Sequence, residues 1–174
     1  RPVDPAEPYT RCTEFIRDLD IIINSLKQHK SDCLTGGSLR HLRRAAEVFG
    51  FHLTSLDIRQ HSNVHEHVVA ELLKHSTGIC YSEITGAERT QYLLVEISNP
   101  RPLLSPYLEY SETSQSELRI LQMIAEIHHR FGHDALPNYI ISKTDNASDI
   151  LETALLLKEV GLLKTGETPH LYLN

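Results

Sequence analysis

Residues 51–67 read FHLTSLDIRQHSNVHEH, and the period of the sequence changes inside them. Up to Arg59 the side chains alternate, placing Ser55, Asp57 and Arg59 on one side of a strand and Thr54, Leu56 and Ile58 on the other. From Ser62, a residue suited to capping a helix, Val64, Val68, Val69, Leu72 and Leu73 recur at helical spacing. A strand that runs straight into a helix is the unit of a parallel α/β fold rather than of a hairpin. NYIIS at 138–142 repeats the device, followed by a helix from Asn146 or Ser148 through Ile150, Leu151, Ala154, Leu155 and Leu157 to Gly161. HLYL at 170–173 reads as a third strand. So few strands make a poor parallel sheet on their own, because such sheets need neighbours and helical cover on both faces. The expected fold class is therefore α/β and helix-rich, a partial segment of a TIM-like barrel with long helical insertions.

Most of the remaining chain is helical in pattern. RPVDPAEPYT at 1–10 carries three prolines and reads as an extended lead-in. Phe15, Leu19, Ile22, Ile23 and Leu26 mark a helix to about His29, broken by SDCLTGG. A second helix carries Leu39, Leu42, Ala46 and Phe49 on one face and is ended by Gly50. Its other face holds Arg40, Arg43 and Arg44, either a solvated surface or an anion-binding one. Thr85 with Glu88 forms a capping box for a helix to about Ser98, which NPRPLLSP must break. Ser114 with Glu117 matches the same pattern, opening a helix through Leu118, Leu121, Ala125 and His128 to Gly132.

The bulk numbers bound the function classes. At 174 residues, 40% hydrophobic and 23% charged, the chain suits a single domain over 1–174. A net charge of −6 argues against nucleic acid as a partner, since phosphate affinity needs clustered cations. No apolar run is long enough for a membrane span. Cys12, Cys33 and Cys80 are odd in number and widely spaced, the usage of reduced, buried thiols in a cytoplasmic protein. The chain opens on Arg1, its one methionine is Met123, and HLYLN stops on a strand-like segment, so an excised piece is expected.

His61, His65 and His67 invite a metal reading, but a cap at Ser62 would put His61 outside the helix and aim His65 and His67 at different sides. No metal site is expected from them. Arg59 is the stronger candidate, at the carboxyl end of a strand, where parallel barrels assemble their active sites. A guanidinium there can hold phosphate or carboxylate through two charge-assisted bonds, and an Asp57–Arg59 ion pair is the equally weighted alternative.

LDIRQ at 56–60, between AAEVFGFHLTS and HSNVH, resembles the phosphoenolpyruvate carboxylase family. The family's comparable stretch has a phenylalanine-glycine pair, a strand ending Asp-Ile-Arg-Gln, then Glu-Ser and, two residues on, a histidine. EFIRDLDIIINSL, LRRAAEVFGFHL, NPRPLLSP and YIISKTDNASDILETALLLKEVGLL follow the family's order, so the resemblance covers nearly the whole chain. It implies a lyase of anaplerotic carbon dioxide fixation that turns phosphoenolpyruvate and bicarbonate into oxaloacetate and phosphate, through carboxyphosphate and the pyruvate enolate. It also implies magnesium or manganese, a homo-tetramer, and the remainder of the same polypeptide as the partner of this segment. By the same resemblance Arg59 contacts the phosphate of phosphoenolpyruvate, with Asp57 and Gln60 in support. The family's catalytic histidine in Thr-Ala-His-Pro, its metal-binding glutamate after Pro-Leu-Phe and its aspartate in Gly-Tyr-Ser-Asp-Ser have no counterpart here, so this segment alone is expected to be inactive and to bind no metal. The sequence departs from the family pattern at His61, Val64 and Lys143, where glutamate, arginine and methionine are usual.

Two other classes fit less of the sequence. A stand-alone helical binding module would account for the helices and the acidic balance. A winged-helix DNA-binding reading of residues 150–174, with Lys164–Glu167 at the wing tip, suffers from Glu152, Glu159 and Glu167 opposing Lys158 and Lys164.

Overall fold

The computed structural model describes residues 7–164 and the backbone of Tyr172 and Leu173. Helices α1 (Cys12–Gln28) and α2 (Gly37–Phe49) form an antiparallel pair, joined in part by Arg43 gripping both carboxylate oxygens of Asp20, at 2.6 and 3.2 Å. Arg44 bonds Glu47 at 2.9 Å, so two of the three arginines on that face are engaged in ion pairs within the hairpin. Gly50 ends α2 with φ +54, and a Cβ there would lie 2.9 Å from the His52 ring, so glycine is required on two counts.

Strand β1 (Asp57–His61) follows, then α3 (Ser62–Thr77), α4 (Gly86–Ser98), α5 (Glu112–Phe131), β2 (Asn138–Ser142), α6 (Ala147–Glu159) and β3 (Tyr172–Leu173). The strands lie side by side in chain order and are parallel, with Asp57 opposite Asn138, Arg59 opposite Ile140 and His61 opposite Ser142. The expected βα order and the expected helices are thus present. The parallel docking of Tyr172 and Leu173 on β2 is not the antiparallel wing of the DNA-binding reading, whose tip at 165–167 lies outside the described residues, as does the lead-in at 1–6. Lys158 is also spent, donating to the carbonyls of Glu96 and Arg101 at 2.9 and 3.0 Å.

The core sits on one side of the sheet. Tyr139 and Ile141 of β2 meet Val68, Leu72, Leu121 and Leu155 from the surrounding helices. Alternation then turns Asp57, Arg59 and Ile140 the other way, and Asp57 and Arg59 are exposed.

Four local readings need correction. The strand begins at Asp57 rather than Phe51, because residues 51–56 form turns and bends, with Leu53 at φ +67, and ladder pairing starts only where Asn138 lies opposite. The cap of α3 is His61, whose Nδ1 accepts from Asn63 N at 3.3 Å, while Ser62 is already helical and donates its hydroxyl to Lys143 O at 2.6 Å. Ser114 and Glu117 do not cap α5. Ser111 does, and Glu71 of α3 accepts from Ser111 N, Ser111 Oγ and Ser114 Oγ, placing a carboxylate at the positive end of the helix. Burial pushes the Glu71 carboxyl up, and the bonds from Ser114 and Ser111 outweigh it, holding the group below its ordinary range. Finally, Cys33 and Cys80 are exposed, and Cys12, half-buried, donates to Ala46 O at 3.1 Å.

The box at α4 is as read, with Glu88 Oε2 accepting from Thr85 Oγ1 at 2.6 Å and Thr85 N at 3.3 Å. Thr85→Ala should therefore cost about 1 kcal/mol, read as a lower urea midpoint with an unchanged slope. An unchanged midpoint would mean that packing alone holds this helix end.

Candidate functional site

The carboxyl ends of β1 and β2 form one rim. Gln60 and His61 come from the first, Ser142 and Lys143 from the second, and Arg59, expected at the strand end, lies at the middle of β1 because the ladder runs on to His61. Arg59 is exposed and makes no hydrogen bond or ion pair with another of the described residues. The alternative reading of an Asp57–Arg59 pair does not hold, because Asp57 Oδ1 instead accepts from Asn138 Nδ2 at 3.1 Å across the ladder. Asp57 therefore ties the strands together and leaves the guanidinium charge unneutralised. Gln60 points to the opposite, helical face, where its Nε2 donates to Glu117 Oε2 at 2.7 Å and its Oε1 accepts from its own neighbour, His61 N, at 2.9 Å.

The three histidines scatter as the helix geometry requires. His61 caps α3, His67 reaches Ser111 Oγ at 3.3 Å on the surface, and His65 is fully buried. His65 lies between Tyr139 OH at 2.8 Å and Thr153 Oγ1 at 3.0 Å, and burial pushes its pKa down to about 4, so the ring is neutral at pH 7. Among the described residues, no three His, Cys, Asp or Glu side chains converge as a metal centre would require. At the departures from the family pattern, Val64 packs on the core edge, His61 is a cap, and Lys143 sits at φ +59 with its side chain exposed at the rim.

Sequence reasoning missed the acidic residues of the interior. Glu117, read as a capping partner, is drawn inward by Gln60 and by Tyr139 OH at 2.9 Å. Glu152 accepts from Tyr81 OH at 2.8 Å, its Oε2 has no partner among the described residues, and burial pushes its pKa up to about 7. Both partnerships span long stretches of chain, and no local pattern encodes them.

The family model described as phosphoenolpyruvate carboxylase matches residues 1–173. The chain belongs to the phosphoenolpyruvate carboxylase family. The phosphoenolpyruvate carboxylase of Nitrosomonas europaea is 54% identical over 171 residues, which is 97% of this chain and 18% of the relative. That of Aromatoleum aromaticum is 51% identical over 95% of this chain, and that of Paraburkholderia xenovorans 47% identical over 91%. The chain thus spans about a fifth of the length of these carboxylases, 18% for the first two and 16% for the third. The expectation of a carboxylase segment agrees with that coverage.

Proposed function

We propose that this chain supplies one wall of a phosphoenolpyruvate carboxylase active site, with Arg59 holding the phosphate of phosphoenolpyruvate. The observation that carries the reading is an exposed guanidinium two residues before the carboxyl end of a parallel strand, turned away from the core and unpaired among the described residues. A fork of donors at that place suits a phosphoryl oxygen pair, and it stabilises the charge that shifts during phosphoryl transfer. Asp57 and Gln60 act in support, one by joining β1 to β2 and the other by anchoring the strand end to Glu117. Three successive parallel strands with helices between them are the repeating unit of a TIM-like barrel, and the chain as a single segment of such a barrel would turn Arg59 to its interior.

The whole reaction is the conversion of phosphoenolpyruvate and bicarbonate to oxaloacetate and phosphate in a cytoplasmic, homo-tetrameric enzyme. The described residues do not fit a magnesium or manganese centre, so its ligands belong to another part of the enzyme. Exposed Ile21, Ile22, Leu42, Val48, Phe49 and Leu56 favour the remainder of the same polypeptide as partner over a stand-alone helical module. The test is paired. The full-length polypeptide should form oxaloacetate with added metal, whereas the 174-residue chain should form none and should self-associate in sedimentation velocity. Turnover by the isolated chain, or a well-behaved monomer that unfolds cooperatively, would refute the segment reading.

A further inference from the structure

A continuous hydrogen-bonded relay crosses the interior behind Arg59. Thr153 of α6 donates to His65 Nδ1 at 3.0 Å, and His65 Nε2 donates to the phenolic oxygen of Tyr139 at 2.8 Å. Tyr139 donates to Glu117 Oε1 at 2.9 Å, Gln60 Nε2 donates to Glu117 Oε2 at 2.7 Å, and His61 N donates to Gln60 Oε1 at 2.9 Å. With His65 neutral, as burial provides, Nε2 donating to Tyr139 leaves Nδ1 to accept from Thr153, whose hydroxyl also lies 3.2 Å from Asp149 O. The relay joins α6, α3, β2 and α5 to the last two residues of β1, and it converges on Glu117, which is 2% exposed.

Glu117 is a costly choice for stability alone. Its only neighbouring basic group among the described residues is His65 Nε2 at 3.8 Å, which is uncharged, so the carboxylate is buried on neutral donors. Apolar side chains of the same volume would hold these elements at least as well. What apolar packing would not do is fix a strand end. Gln60 and Arg59 are adjacent and point to opposite faces, so clamping the Gln60 side chain and the His61 amide fixes the direction in which Arg59 leaves the backbone.

We infer that Glu117 is a positioning residue, acting through Gln60 and the end of β1 to aim Arg59 at its anionic substrate. The inference rests on Arg59 being the phosphate contact. Glu117 touches no substrate itself; it holds the guanidinium in one orientation and so removes freedom that binding would otherwise have to freeze.

The experiment is steady-state kinetics of the full-length enzyme carrying Glu117→Gln, alone and on top of Arg59→Lys, with a thermal midpoint for each. Glutamine has one acceptor for two donors, so the clamp is broken while the volume is kept. Glu117→Gln should raise KM for phosphoenolpyruvate roughly tenfold and leave kcat within about twofold, the signature of lost substrate orientation rather than lost folding. On the Arg59→Lys background it should add less than about twofold, since both changes act on one contact. If Glu117→Gln does not fold, Tyr139→Phe, which removes one donor and keeps the ring, should raise KM in the same direction by roughly threefold. Intact KM in the folded variants, or a rise that adds in full to that of Arg59→Lys, would overturn the inference. If Arg59 variants leave KM and kcat/KM untouched, the phosphate-contact reading falls and this inference with it. An effect at Arg59 with none at Glu117 removes this inference alone.

Discussion

Arg59→Ala in the full-length enzyme lowers kcat/KM for phosphoenolpyruvate by roughly 10²–10³-fold, the loss expected when two charge-assisted bonds of about 1.5–3 kcal/mol each disappear in part from the transition state. Lysine restores charge but not the fork, so Arg59→Lys should recover roughly tenfold of that loss. Neither change should move the unfolding midpoint appreciably, because Arg59 is exposed and bonds no other described residue. Kinetics on purified enzyme at fixed metal and bicarbonate decide the matter. Wild-type kcat/KM in Arg59→Ala would exclude the guanidinium from the substrate site.

A second large effect is expected in stability and depends on pH. Glu152, 1% exposed, faces Tyr81, Glu66, Asp149 and Arg89, and its folded pKa is raised from 4.5 to about 7, chiefly by burial. Below pH 4.5 the carboxyl is protonated in both the folded and unfolded chain and costs nothing. Between 4.5 and about 7 the unfolded chain loses this proton while the folded chain keeps it, so stability falls as pH rises. Above about 7 the penalty is complete, and the shift is worth roughly 3 kcal/mol. Glutamine matches the protonated acid in shape and still accepts from Tyr81, so Glu152→Gln should match the parent near pH 4 and exceed it by roughly 3 kcal/mol at pH 8. Urea midpoints of the full-length enzyme and its Glu152→Gln variant across this range, at one protein concentration, test the sign as well as the size. Parallel pH curves would show that Glu152 is not the group responsible.

The helices were legible because their signals are local. The period of Val64, Val68, Leu72 and their neighbours, the Thr85–Glu88 box, and the stops at Gly50 and Gly132 all lie within a few residues of the feature they specify. The passage from β1 straight into α3 is legible for the same reason, although β1 runs two residues past Arg59. Residues 51–56 alternate as a strand should, yet the one backbone bond they make toward β2, from Leu56 N to Ala135 O at 2.9 Å, does not extend into a ladder, which is a property of two segments. Glu117 shows the limit most clearly. Ser114 and Glu117 satisfy the box pattern, but Gln60, 57 residues away, offers the carboxylate a better bond than the helix start does. The alternative Asp57–Arg59 pair fails in the same way, because Asn138, 81 residues distant, takes the Asp57 carboxylate. The proposed barrel is a further step removed, because closure would depend on strands beyond those these residues form.

The bond from Ser62 Oγ to Lys143 O ties the corner after β1 to the corner after β2. Lys143 holds a left-handed backbone at φ +59, a conformation that costs a lysine about 1 kcal/mol and that persists because its surroundings hold it there. Two corners locked in this way cannot open separately. The two corners are therefore coupled, and the rim shifts as one unit rather than as two.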